Sequence, residues 1–223
     1  MSHDFRGGYR FGEGLPIRPI PPGSTVLVTA PALSGGEDLA RRLVADSIGT
    51  DESGLFISTN MTGEKLLQTC RRTHDSPAAA QLGIIDCSGQ DPGRSDHEIP
   101  IRYVSSQSDL TGISIQYTAL YEPLAANAAA GRVRTGLISL SSLLMYVDLK
   151  TVFQFAQTLA GRIGTTGGLG VVAIDPTVHE TQAVNTFAQI ADGLIEVREV
   201  DSGTELRTQG LPNQPEGWQP VSL

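Results

Sequence analysis

The stretch Val26-Leu27-Val28-Thr29-Ala30-Pro31-Ala32-Leu33-Ser34-Gly35-Gly36-Glu37-Asp38 leads from an apolar run into a helical pattern. That junction is where α/β proteins commonly bind anions. A phosphate-binding loop of the form G-x-x-x-x-G-K-[ST] surrounds phosphate with backbone N–H groups, sets a lysine on the outer oxygens and places a hydroxyl on Mg²⁺. Here the loop length matches and the chemistry does not. Ala30 stands for the first glycine and Gly35 for the second, while Gly36 takes the lysine position and Glu37 the hydroxyl position. A carboxylate facing phosphate is adverse, since like charges about 4 Å apart cost on the order of a few kcal/mol at an effective dielectric near 20. At a helix start the same carboxylates are favourable by roughly 0.3–1 kcal/mol each. Glu37 and Asp38 are therefore expected to cap and charge the helix. The competing role, holding a metal, lacks a His or third carboxylate nearby in sequence. Ser34, Gly35, Gly36, Glu37 and Asp38 form the candidate site, a vestigial phosphate loop. No catalytic residue, no metal and no obligate cofactor is expected; Mg²⁺–ATP is the ligand to test.

Other constellations are weaker. His3, His74, His97 and His179 show no metal-ligand spacing such as HxxxH. His179-Glu180 follows Asp175-Pro176 at the mouth of a strand, where it either faces the site or starts a helix. The serines of SLSS (139–142) lack a G-x-S-x-G elbow. Cys70 and Cys87 are 17 residues apart with no CxxC pair, and Cys87 ends an apolar run as a small buried residue would. Gly167-Gly168 reads as a helix end.

The elements that must position the loop follow from periodicity. Strands are expected at 25–29, 54–59, 82–87, 101–105, 133–140 and 169–174, without polar alternation. Helical patterns lie between them at 37–46, 63–72, 110–130, 148–163 and 180–191, with Pro123 expected to kink or split the third. Strands 193–200 and 205–210 close the chain as a hairpin at Asp201-Ser202-Gly203. Apolar strands separated by helices mean a mostly parallel sheet covered on both faces. Residues 23–223 read as one α/β core domain. Residues 1–22, rich in Gly, Arg and Pro, read as a flexible or loosely docked N-terminal arm, with Arg6, Tyr9, Arg10 and Phe11 able to touch a partner.

Composition sets the company this chain keeps. Its 223 residues suffice for one sizeable core. With 24 Asp+Glu against 16 Lys+Arg the net charge is −8, and only Lys65 and Lys150 are lysines. That balance argues against nucleic acid and against anionic lipid. Acidic excess with few lysines is also the composition of salt-adapted archaeal proteins. No signal-peptide pattern and no long apolar span is visible, so a cytoplasmic location is expected.

The blocks VLVTAPALSGGEDLA (26–40), LFISTN (55–60), IIDCSG (84–89), SSQSDLTGIS (105–114), SLSSLLMYVDLKTVFQF (139–155), LAGRI (159–163), GGLGVVAIDPTVHETQ (167–182) and ADGLIEVRE (191–199) together resemble the KaiC/RecA-type P-loop ATPase superfamily. Within it they are most similar to haloarchaeal KaiC-like, "HTR-like" proteins of unknown function. The resemblance implies a RecA-like three-layer sandwich and, for many relatives, rings or filaments with nucleotide between subunits. It also implies where catalytic groups should stand. The P-loop lysine position is Gly36, the paired water-activating glutamates match Asn60 and Met61, and the Walker B aspartate matches Ser139. Clamp, base and Mg²⁺-ordering carboxylate are all missing. The expected function is thus a non-catalytic interaction or regulatory protein, with a non-hydrolysing nucleotide switch as the alternative. Its expected partner is a protein or a second copy of itself. Leu143–Val147, unusually apolar for a connection, serves either as a subunit contact or as packing under the sheet, and Phe155 is a second contact candidate.

Overall fold

The computed structural model describes residues 7–47, 51–73, 81–90 and 98–223. Its elements are β1 (Thr25–Thr29), α1 (Gly36–Ala45), β2 (Ser53–Ser58), α2 (Gly63–Thr73), β3 (Leu82–Asp86), β4 (Ile101–Tyr103), α3 (Leu110–Asn127), β5 (Val133–Leu137), α4 (Leu140–Leu144), α5 (Leu149–Thr166), β6 (Leu169–Ile174), α6 (Thr181–Ala188), β7 (Gly193–Val200), β8 (Gly203–Gln209) and β9 (Gln219–Val221). Among the described residues the strands form one sheet in the order β4-β3-β2-β5-β6-β1-β7-β8-β9. It is parallel from β4 to β7 and antiparallel from β7 to β9.

Successive side chains of a strand point to opposite faces, and here both faces are covered. Val26 and Val28 join the apolar cluster built with α1, α2 and the N-terminal segment. Leu27 joins the opposite cluster, built with α3 to α6. This is why β1, β2, β3, β5 and β6 are buried at every position and show no polar alternation. The hairpin register follows from charge. Glu196 faces Arg207 and Arg198 faces Glu205 across the strands, with ion pairs of 2.6 and 2.7 Å. Cross-strand pairs of opposite charge contribute roughly 0.2–1 kcal/mol each. Trp218 stacks under both guanidiniums, 4.0 Å from that of Arg198 and 4.8 Å from that of Arg207.

Four expectations need correction. Residues 7–22 are docked and not a flexible arm, while residues 1–6 lie outside the described residues. Tyr9 is fully buried, bridges to Ile20, and donates its hydroxyl to the carbonyl of Gly167 at 2.9 Å. The clasp is Arg134, in the middle of an apolar strand pattern and 1% exposed. Its Nε pairs with Glu52 at 2.6 Å, Nη1 donates to the Leu43 carbonyl at 2.8 Å, and Nη2 donates to the Arg10 carbonyl at 2.6 Å. A buried guanidinium is tolerated only when so paired.

Second, α3 is not split at Pro123 but continues through it as one helix of 18 residues. Its buried Tyr117, Leu120 and Leu124 anchor both sides of the lost backbone bond. Third, the strand expected to reach residue 140 stops at Leu137, because Ser139 caps the short α4 by accepting from Ser142 N. Fourth, β9 was not anticipated; it pairs with β8 as a three-residue strand containing Pro220.

The helices follow their signals more directly. Asp148 caps α5, accepting from Thr151 N at 3.0 Å, and its carboxyl is held below the usual range by that contact and the Thr151 hydroxyl. Gly167, with φ 69°, ends the same helix in the left-handed conformation. No helix among the described residues is long and apolar enough to cross a membrane.

Candidate functional site

The loop between β1 and α1 opens onto a cleft of about 450 Å³ at the carboxyl ends of β1, β5 and β6. Its shape is set locally. Ser34 donates both its N–H (3.2 Å) and its hydroxyl (2.7 Å) to the Pro31 carbonyl, closing a turn over residues 31–34. Leu33 sits in that turn with φ 67° and a side chain 99% exposed. Gly35 follows with φ 85°, a conformation that a Cβ penalises. Ala30 N then bonds Ile174 O at 3.2 Å, fastening the loop's root to β6.

At Gly36 the loop meets its tightest constraint. A Cβ built there would overlap the methyl group of Ala30, so residue 36 is held to glycine by its neighbour at the first loop position. Compared with the G-x-x-x-x-G-K template, the one Cβ that fits between these two positions has moved from the seventh to the first. No lysine side chain starts from Gly36 without Ala30 giving way. Lys65 and Lys150 are exposed and are not among the residues lining the cleft.

The expectation that Glu37 and Asp38 cap α1 is not met. The N-cap is Gly35, which offers no side-chain bond. Both carboxylates instead lie in the first turn against Arg41, with Asp38 in direct ion-pair contact and Glu37 Oε2 at 3.7 Å from Nη1. Glu37 Oε2 also accepts from Asn60 Nδ2 at 2.7 Å. The side chain at the hydroxyl position of the loop is therefore bonded to the one at the expected water-activating position. Both still favour the positive end of the helix, as their sequence position implies.

Ser139, at the expected Walker B position, does line the cleft, together with Ser141 and Asp175. Its hydroxyl accepts from Ser142 N (3.3 Å) and from the Ser142 hydroxyl (3.2 Å), while its carbonyl accepts from Thr59 Oγ1 at 2.7 Å. It works as a helix cap and strand tie. Asp175 turns its carboxylate to Thr177, accepting from the amide at 2.8 Å and the hydroxyl at 2.6 Å. The structure thus gathers the loop residues with Ser139 on one cleft, puts Asn60 within bonding distance of Glu37, and leaves His179, the neighbour in sequence of the lining residue Val178, half-buried and outside the lining. Among the described residues no three His, Cys, Asp or Glu side chains gather into a metal-sized cluster. Cys70 and Cys87 are both buried, and burial pushes the Cys70 thiol up to about 11 and that of Cys87 further still.

Sequence reasoning missed Arg41 and Val178, and weighed Ser141 only as a nucleophile in SLSS (139–142). Arg41 was within reach, since it stands four residues after Glu37 and three after Asp38 on one helix face. Ser141 and Val178 enter only because β5 and β6 end beside β1.

A family profile described as "Family of unknown function (DUF7504)" matches residues 23–197. No curated protein matches in sequence. In fold the chain is similar to the KaiC-like protein PH0186 from the hyperthermophilic archaeon Pyrococcus horikoshii OT3, at 14% identity and a TM-score of 0.59, covering 94% of this chain and 88% of that one. It is also similar to the uncharacterized protein PH0321 from Pyrococcus horikoshii, solved in complex with an unknown peptide. There the identity is 15% and the TM-score 0.64, covering 90% of this chain and 88% of that one. At these identities the likeness establishes a KaiC/RecA-like fold.

Proposed function

The chain belongs to DUF7504, a family of unknown function, and from that premise we propose that it is a non-catalytic KaiC/RecA-like protein, regulatory or interacting in role, working in the cytoplasm. The observation that carries this reading is the steric exchange between Ala30 and Gly36, which removes the phosphate-clamping lysine together with the space for its Cβ. The bond between Glu37 and Asn60 adds to it, because those two positions turn towards each other. Phosphoryl transfer relies on positioned positive charge and metal more than on any other aid. This cleft offers Arg41, already engaged by two carboxylates.

An apolar rim supports interaction with protein. Leu33 and Val178 border the cleft at 99% and 63% exposure, a feature that suits a polypeptide better than a triphosphate. The fold relative described as bound to an unknown peptide is in keeping with that. The narrower kinship with haloarchaeal HTR-like proteins belongs to the same proposal, supported by the net charge of −8.

The second reading, a switch that binds ATP without cleaving it, has its own support. The first turn of α1 has no side-chain cap, and its N–H groups stand at the cleft beside left-handed Gly35. Thermal unfolding in high KCl, with and without millimolar Mg²⁺–ATP, separates the two. A ligand at a hundred times its Kd adds about 2.7 kcal/mol, a shift of several degrees for this size. No shift and no phosphate release are expected. A shift without turnover promotes the switch, and turnover overturns both readings.

A further inference from the structure

Two helices on the face of the sheet opposite α1, α3 and α5, run side by side and leave a groove of about 520 Å³ between them. Tyr117 and Tyr121, stacked at 5.5 Å, form one wall, and Thr158, Gly161 and Arg162 form the other. Several of its features have no explanation inside one copy of the chain.

α3 carries a single charged residue, Glu122, in 18, and α5 carries two, Lys150 and Arg162, in 18. That is less than half the charge density of the whole chain, which is 18% charged. A helix that covers a sheet on one side normally turns a charged face outward. Here Ile115 stands out from α3 at 61% exposure. On α5, Gly161 lies in mid-helix, where glycine weakens a helix relative to alanine. A Cβ there would meet nothing within 4 Å, so no contact inside the chain calls for its absence. Glu122 and Arg162 both line the groove, yet neither has an ion-pair partner among the described residues; Arg162 Nη1 donates to Thr118 Oγ1 at 2.9 Å.

Charge and symmetry indicate the occupant. Two copies, each of net charge −8, repel wherever their acidic surfaces meet. These two helices, with Lys150 and Arg162 against Glu122, are net +1, so this face lacks the acidic excess that keeps copies apart. A two-fold contact is built from one patch meeting itself, so a patch needs both a projection and a recess, and both signs of charge. This face has Ile115 as projection, the groove beside Gly161 as recess, and unpaired Glu122 and Arg162.

We propose that the α3–α5 face is a two-fold self-association surface, with α3 of one copy lying over α5 of the other. Ile115 of each copy enters the other's groove beside Gly161, and Glu122 of each meets Arg162 of the other. Helices of this length span about 27 Å, and two set about 10 Å apart give a face of about 500 Å² per copy, or about 1,000 Å² in all, the lower end for a specific interface. The dimer is accordingly a concentration-dependent one. The proposal rests on the interaction reading above and names its partner, but it does not depend on whether ATP binds.

Sedimentation velocity of the full chain from about 1 to about 200 µM, spanning the affinities such an area supports, tests it. The expected result is a monomer–dimer equilibrium. Gly161→Arg should weaken it by about tenfold or more, and so should Glu122→Arg or Arg162→Glu alone, because each charge change sets like charges face to face. Combining Glu122→Arg with Arg162→Glu restores opposite pairs and should restore the dimer, while unchanged melting temperatures of the single variants separate lost association from lost folding. A monomer at every concentration overturns the proposal. A dimer indifferent to all of these changes overturns it too, placing the contact elsewhere. Neither result touches the reading of the cleft, which the ATP experiment decides separately.

Discussion

The methyl group of Ala30 occupies the space that any side chain on Gly36 would need. Two positions six residues apart are thereby coupled, and glycine at position 36 is fixed by the loop's packing. A lysine introduced alone meets a filled site.

Gly36→Lys should therefore destabilise the fold by about 1–3 kcal/mol, the usual cost of overpacking. The double variant Ala30→Gly with Gly36→Lys should recover most of that loss. Urea denaturation of the two single variants and the double measures the coupling. Additive effects would show that the two sites do not compete for one volume.

Arg134 is the clasp of the N-terminal segment. Its replacement by alanine removes one of the two arginines paired with Glu52, leaving the Arg132 contact at 3.0 Å, and takes the donor from the carbonyls of Leu43 and Arg10. Leaving a buried acceptor without its donor costs about 1–3 kcal/mol. Limited proteolysis should then cut within residues 7–20 under conditions where the parent chain stays intact. A variant of unchanged stability and protease resistance would refute this role.

Tyr9 gives the clasp a pH signature. Burial pushes its hydroxyl from the ordinary 10.0 to about 12. Because the folded value is the higher one, its contribution is whole below pH 10 and is lost as pH rises towards 12. The alkaline loss in stability should therefore begin near the unfolded tyrosine value. Tyr9→Phe should cost about 0.5–1.5 kcal/mol at neutral pH, through the hydrogen bond to Gly167, and should flatten part of that alkaline slope. Tyr117, pushed to about 12 by burial, adds a second component that the variant leaves in place.

Leu33 holds a left-handed backbone with its side chain 99% exposed, so the strain has no packing to offset it. Leu33→Asn should raise stability by about 0.5–1 kcal/mol, since asparagine tolerates that conformation better. If the rim of the cleft docks a protein, the same change should weaken that binding. A fall in melting temperature would mean that the leucine makes a contact worth more than its strain.

Much of the fold was legible in the chain itself. Runs such as LGVVAI and LGIID are strands because both faces of the central sheet are covered, and the loop after β1 announces itself by length and glycines. The residues that stand at the loop and strand-end positions, Gly36, Asn60 and Ser139, could likewise be read. These are local properties, fixed by side-chain type and by periods of two or 3.6 residues. The docking of residues 7–22 could not be read, because it depends on Arg134, a charge inside an apolar run whose partners lie 82, 91 and 124 residues away. The incompatibility of Ala30 with a side chain at 36, the bond from Glu37 to Asn60, and the groove between α3 and α5 were equally hidden. Each is a distance between segments that only the packed sheet brings together, and no one-dimensional pattern records such distances. Sequence alone determined which residue types stand along the loop and at the strand ends. Tertiary structure decided how the space around them is filled and which helix faces stay exposed, because packing distances are set between segments far apart in the chain.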